Sequence, residues 1–233
     1  MKFVVATDVF VTLDVCFGVV VARGINNQHD KQEIAQLLEA SCQAIENRFA
    51  ESKVKEAPEI APYREAFTTL GVNPNKFPSS IEAMASRIAK KKGFPNINPV
   101  VDLGNAISLK YLLPLGAHDL DQATGTIAVR YANEGDRFVP FGQGEEELVP
   151  AGELIYSVGE NVKTRRWIWR QSEYGKVTAD SQNIFFPIDG FSNINQAAVL
   201  RARDELADLL QRNFACTICT GFLDQDHPEF SWS

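Results

Sequence analysis

Near residue 120 the hydrophobic period of this 233-residue chain changes. Before that point apolar residues recur at helical spacing. After it they alternate, as in Thr126, Ala128 and Arg130 against Ile127, Val129 and Tyr131. Helices and strands written in separate blocks predict an α+β fold, with a mainly antiparallel sheet packed with helices. Further strands are expected at residues 137–141, 153–158, 162–170 and 183–188, between Gly, Pro, Asn and Asp breakers. A long helix over 192–214 and a strand over 215–222 follow. At the other end, residues 3–23 read as two strands around a turn.

The helical block is punctuated. From Asp30 to about Ala50 the residues Ile34, Leu37, Leu38, Cys42 and Ile45 keep a helical period, with Asp30 as the expected N-cap. Residues 51–62 are polar and proline-punctuated and read as a linker. They divide a strand-helix extension, 1–60, packed on a main domain, 61–233. A short helix then runs to Leu70. Ser79 and Glu82 have capping-box spacing, and their helix ends in the basic run before Gly93.

Residues 99–121 carry the densest information. An apolar helix keeps a polar track, Asp102, Asn105 and Ser108, at three-residue spacing. Such a track either braces neighbouring segments or lines a pocket. Pro114 and Gly116 stop the helix, and His118-Asp119 follow.

Other segments leave two readings open. As a strand, 163–170 sets Arg165, Trp167 and Trp169 on one face and Arg166, Ile168 and Arg170 on the other. Cations beside flat rings suit phosphate contacts and base stacking; core tryptophans with surface arginines produce the same pattern. Glu173, beside these arginines, can orient a water or form a surface salt bridge. Ser181 can bond a ligand or cap its turn. Cys216 and Cys219, three apart in a strand, face opposite ways. His29, His118 and His227 fall in no short metal-binding pattern, so neither metal nor cofactor is expected. Gly142 and Gly144 precede three glutamates, which repel phosphate.

The net charge of −7 argues against broad, unspecific nucleic-acid binding, but leaves basic islands at 87–92 and 160–176. No apolar window approaches the ~20 residues of a membrane span. The start of the chain does not read as a signal peptide. With four cysteines and no disulfide framework, the expected location is cytoplasmic.

Three segments together resemble one family: Asn98-Pro99-Val100-Val101-Asp102-Leu103-Gly104-Asn105, then Leu113-Pro114-Leu115-Gly116-Ala117-His118-Asp119-Leu120, then Glu173 with Ser181-Gln182-Asn183. They look like the editing module, the B-three/B-four domain, of bacterial phenylalanyl-tRNA synthetase beta subunits. The resemblance covers about residues 62–190 and extends to the end of the long helix. It implies a site that hydrolyses tyrosine wrongly esterified to phenylalanine tRNA. By motif position Asn105, Glu173 and Ser181 line that site. The synthetase motif has histidine where this chain has Gly116, and His118 stands two places on. The implied catalytic set is Glu173, Asn105 and His118. Ser181, Ser108, Gly116, Arg166 and Arg170 are the implied contacts to substrate and tRNA phosphates. At this length the chain resembles free-standing relatives of the module, which implies a hydrolase acting in trans on the 3' end of aminoacylated tRNA. The alternatives are a non-catalytic module binding tRNA or an amino acid, and a small-molecule enzyme on the same fold.

Overall fold

The computed structural model describes residues 1–28, 31–121, 123, 125–142 and 144–233. Strand β1 (Lys2–Val5) leads through a short helix, α1 (Thr7–Thr12), into β2 (Val15–Arg23). The helical block follows: α2 (Gln32–Arg48), a 3-10 turn at Val54–Glu56, α3 (Ala61–Thr69), α4 (Ser80–Ala89) and α5 (Pro99–Tyr111). Then come β3 (His118–Asp119), β4 (Thr126–Tyr131), β5 (Arg137–Phe138), β6 (Glu147–Leu148), β7 (Leu154–Val158), β8 (Asn161–Arg165), β9 (Arg170–Gln171) and β10 (Asn183–Phe191). Helix α6 (Gln196–Phe214) and strands β11 (Thr217–Leu223) and β12 (Glu229–Ser231) close the chain.

The strands form two sheets. One runs β12-β1-β4-β7-β8-β5-β6, with β9 beside β8; the other runs β11-β2-β10-β3. Pairing is antiparallel except for β1 with β4 and β5 with β8. The fold is therefore α+β and mainly antiparallel, as the two periods imply. The sheets meet through rings. Phe3 of β1 lies edge-on to Phe17 of β2 at 5.7 Å, stacks on Tyr156 of β7 at 6.0 Å and leans on Phe185 of β10 at 5.1 Å. Helix α6 covers the opposite face of the smaller sheet. Added Cβ atoms at Gly18 and Gly190 would come within 2.9 and 2.4 Å of the Val199 side chain, so these glycines let the helix approach. With both faces covered, β2 is buried from Val15 to Ala22, which explains its unbroken apolar run.

Several expectations are corrected. Residues 3–23 do form two strands, but not a hairpin: β1 belongs to the larger sheet and β2 to the smaller. Helix α1 carries the chain between them. The supposed linker packs, because Val54, Ala57 and Ile60 are buried with Leu38, Ile45, Ile81 and Leu109 in a second apolar cluster. The expected cap Asp30, like His29, lies outside the described residues. Ser79 does cap α4, its Oγ accepting from the Glu82 N–H at 3.4 Å. The Glu82 carboxylate turns instead to Arg64 at 2.6 Å, so the reciprocal half of the box is replaced by an ion pair.

The largest correction concerns 162–170. Strand β8 stops at Arg165, and β9 returns antiparallel with Arg165 opposite Arg170. Between them Arg166 and Trp167 adopt left-handed backbone, φ 46° and 59°. Burial holds this strained turn: Trp167 is fully buried, and its N–H donates to the Leu154 carbonyl at 2.6 Å. Arg165 forms a two-pronged pair with Glu153, both contacts 2.8 Å, and a third contact to Glu147 at 3.0 Å. Much of the apparent basic island is thus neutralised internally. Among the described residues no helix is long and apolar enough to cross a membrane.

Candidate functional site

Helix α5 is fixed at its start. Asn98 caps it by accepting the Val101 N–H at 3.1 Å, and Pro99 occupies the first turn. Asn98 and Asn27 also donate to the Val177 and Thr178 carbonyls, tying the helix to the 173–182 segment.

The polar track then divides. Each three-residue step moves about 60° around a helix, so Asp102 and Ser108 end up about 120° apart. Buried Asp102 accepts the Ile97 N–H at 2.9 Å. Ser108, fully buried, donates to the Leu113 carbonyl at 2.6 Å, beside the left-handed Leu112 that ends the helix. Asn105 faces a cavity of about 400 Å3 with Gly104, Leu115, Ala117, Gln171, Glu173 and Lys176 in its wall.

Glu173 reaches this cavity from the turn after β9, its own N–H bound to the Val139 carbonyl at 2.8 Å. Its Oε1 accepts the Gly142 N–H at 2.8 Å, and its Oε2 lies 3.3 Å from Lys176 Nζ. The Lys176 ammonium sits 5.5 Å from the Phe141 ring, another wall of the cavity. A carboxylate and a carboxamide thus share an otherwise largely apolar space.

A smaller chamber of about 70 Å3 adjoins it, with Leu115 and Gln171 common to both walls. Its lining includes Gly116, His118, Arg170, Tyr156, Trp167 and Asp189. Gln171 donates its Nε2 to the Ala117 carbonyl at 2.6 Å and approaches His118 Nδ1 at 3.3 Å. Accepting that bond places the His118 proton on Nε2. Burial, with the Lys163 charge adding, pulls the His118 pKa from 6.5 down to about 3, so the ring is neutral. A Cβ at Gly116 would lie 3.1 Å from His118 Nε2 and 3.3 Å from Pro187 Cγ.

The family model described as the B3/4 domain matches residues 62–217. The chain belongs to the B3/4 domain family. Its curated relatives are phenylalanine–tRNA ligase beta subunits. That of Bifidobacterium longum (strain NCC 2705) is 30% identical over 128 residues, 53% of this chain and 15% of its own length. That of Gloeobacter violaceus is 42% identical over 72 residues, 30% and 9% of the two chains. That of Pectobacterium atrosepticum is 26% identical over 140 residues, 60% and 17%. This B3/4 chain therefore spans a minor part of each relative. Among solved structures, an N-terminal fragment of the Pyrococcus horikoshii phenylalanyl-tRNA synthetase beta-subunit aligns with TM-score 0.49 and 13% identity, over 93% of this chain and 49% of that one.

Within this B3/4 domain the eight residues singled out from the sequence separate into groups. Asn105 and Glu173 share the larger cavity. Gly116, His118 and Arg170 line the adjoining chamber. The hydroxyls of Ser108 and Ser181, expected to contact substrate, line neither space and are bonded within the protein. Ser181, 2% exposed, donates to Asp119 Oδ2 and accepts the Thr178 N–H at 2.9 Å. Arg166 lies outside both linings; its guanidinium stacks 3.9 Å from the Phe77 ring centre and 4.5 Å from that of Trp169, with Glu153 at 3.6 Å. Sequence reasoning missed Gln171, Lys176 and Asp189. The signal for Asp189 was present: it is the one acid in the apolar run Ile184–Phe191. Cys216 is buried and Cys219 exposed, and no metal-capable cluster occurs among the described residues.

Proposed function

We propose that this B3/4 domain is an editing-type hydrolase that removes wrongly esterified amino acids, tyrosine on phenylalanine tRNA above all, from the 3' end of tRNA, and does so in trans. The observation that carries the reading is the shared cavity of Asn105 and Glu173. An aminoacyl ester is already activated, so such a site has to hold it, place a water and stabilise the oxyanion. The apolar wall takes the amino-acid side chain. Glu173 orients the water that attacks the ester carbonyl. The Asn105 amide donates to the developing oxyanion. The bond to the ribose oxygen then breaks, and that oxygen leaves as the protonated hydroxyl of tRNA. Phe77, Arg166 and Trp169 offer a flat cationic surface for a terminal base.

The test is release of tyrosine from Tyr-tRNA(Phe), and of other residues from a panel of mischarged tRNAs, by excess protein. No release above buffer for any of them refutes the reading. A second reading, recognition without catalysis, is favoured by one observation: the buried, neutral His118 is bonded to Gln171 and lines the chamber rather than the cavity of Asn105 and Glu173. Saturable binding of the same tRNAs without hydrolysis selects this second reading.

A further inference from the structure

The chamber beside the cavity contains a buried carboxylate that the hydrolytic scheme leaves unused. Asp189 lies in the apolar strand β10 and is 2% exposed. Its Oδ1 takes both of its side-chain hydrogen bonds, from Tyr156 Oη and Trp167 Nε1, each at 2.6 Å. Among the described residues no donor bonds Oδ2, and no cation forms an ion pair with Asp189. Without a cation the ionised form of a buried carboxylate is costly, and burial accordingly raises the Asp189 pKa from 3.8 to about 7, so the group ionises only near and above neutral pH.

Among the described residues no neighbouring cation compensates the ionised form. His118 is neutral, and the Arg170 guanidinium lies over Trp169 at 6.0 Å. Tyr156 and Trp167 are neutral donors, and the nearby Cys16 thiol is also uncharged, its pKa raised to about 12 by burial. At about 70 Å3 the chamber is too small for an aromatic ring. It holds a few waters, each needing roughly 10–15 Å3 of such space, or one compact polar group.

We propose that this chamber is a subsite for a primary ammonium group and that Asp189 selects ligands carrying one; the proposal rests on reading the adjoining cavity as an aminoacyl pocket. The ammonium supplies the missing charge and donates to Oδ2. Gly116 lies in the chamber wall, where an added Cβ would press on His118 and Pro187 and narrow the space. The ammonium has two possible sources, the α-amine of the esterified amino acid or the end of a lysine-like side chain.

Three probes separate these cases: L-phenylalaninamide, its des-amino counterpart 3-phenylpropionamide, and Nα-acetyl-L-lysinamide. Each is titrated into the whole chain at pH 7, where the amines are largely protonated, following the Trp167 indole N–H resonance, which reports directly on Asp189. Phenylalaninamide or acetyl-lysinamide is expected to shift that resonance and bind at least tenfold more tightly than 3-phenylpropionamide. The stronger of the two amines identifies the source. Asp189→Asn, which keeps an acceptor for Tyr156 and Trp167, is expected to abolish the tenfold preference. Equal binding of amine and des-amino probes, or no shift with either amine, overturns the proposal; this comparison needs only the wild-type chain. An unchanged preference in Asp189→Asn overturns it as well. Failure here is distinct from failure of the editing reading: tRNA hydrolysis lost in Glu173→Gln but without any amine preference removes the chamber alone, and an amine preference without hydrolysis removes the catalysis alone.

Discussion

Gln171 approaches His118 Nδ1 at 3.3 Å while the same amide nitrogen donates to the Ala117 carbonyl. One side chain thereby walls two spaces, the cavity of Asn105 and Glu173 and the chamber of His118 and Asp189.

Asn105→Ala and Glu173→Gln are each expected to lower hydrolysis of mischarged tRNA about 100-fold, the scale on which an oxyanion donor or a positioned base acts. The Asn105 side chain makes no hydrogen bond among the described residues, so its removal should leave the melting temperature nearly unchanged. Single-turnover deacylation together with thermal melting checks both statements. A large drop in melting temperature for Asn105→Ala would instead mark it as structural.

Gly116→His, which restores the histidine of the synthetase motif, is expected to destabilise the domain by about 1–3 kcal/mol. The new Cβ alone meets His118 Nε2 at 3.1 Å. Pairing it with His118→Ala should recover most of the loss, because the ring that gives way is then absent. Urea melts of the two variants and the single His118→Ala control form the double-mutant cycle.

The pH dependence of stability carries two opposed contributions. His118 has its pKa lowered from 6.5 to about 3, so its contribution is present above 6.5 and is lost as pH falls toward 3. Asp189 has its pKa raised by burial from 3.8 to about 7, so its contribution is greatest below 3.8 and is lost as pH rises toward 7. Between pH 4 and 6.5 the two oppose each other. Relative to wild type, Asp189→Asn should lose stability more steeply on acidification, and His118→Gln less steeply. Denaturant melts at pH 4.5, 5.5 and 7.5 measure the slopes.

Ser181→Ala should cost about 1–3 kcal/mol, because it leaves Asp119 Oδ2 and the Thr178 N–H without their buried partner. Its effect on hydrolysis, measured below its melting temperature, should be much smaller than that of Asn105→Ala. A loss of activity equal to that of Asn105→Ala would place Ser181 in contact with substrate.

Local chemistry was legible without coordinates. Pro114 and Gly116 stop one helix and Ser79 caps another, because each depends on residues a few positions apart. The two hydrophobic periods likewise specify helices and antiparallel strands, since alternation on a half-buried sheet and a 3.6-residue stripe on a helix are properties of the chain alone. What sequence could not decide is where polar side chains point once the elements pack. Asp102, Asn105 and Ser108 look equivalent in the sequence; only the placement of residues 141–142 and 171–177 against α5 leaves Asn105 facing open space and the other two facing backbone. The expected strand through Trp167 was broken for the same reason. Burying its indole beside Asp189 and binding its N–H to Leu154 favour a left-handed turn that local propensity opposes. Periodicity is a short-range property and determined the elements; burial and charge pairing act between residues distant in the chain, and they alone decided the cavity, the chamber and the side chains that face them.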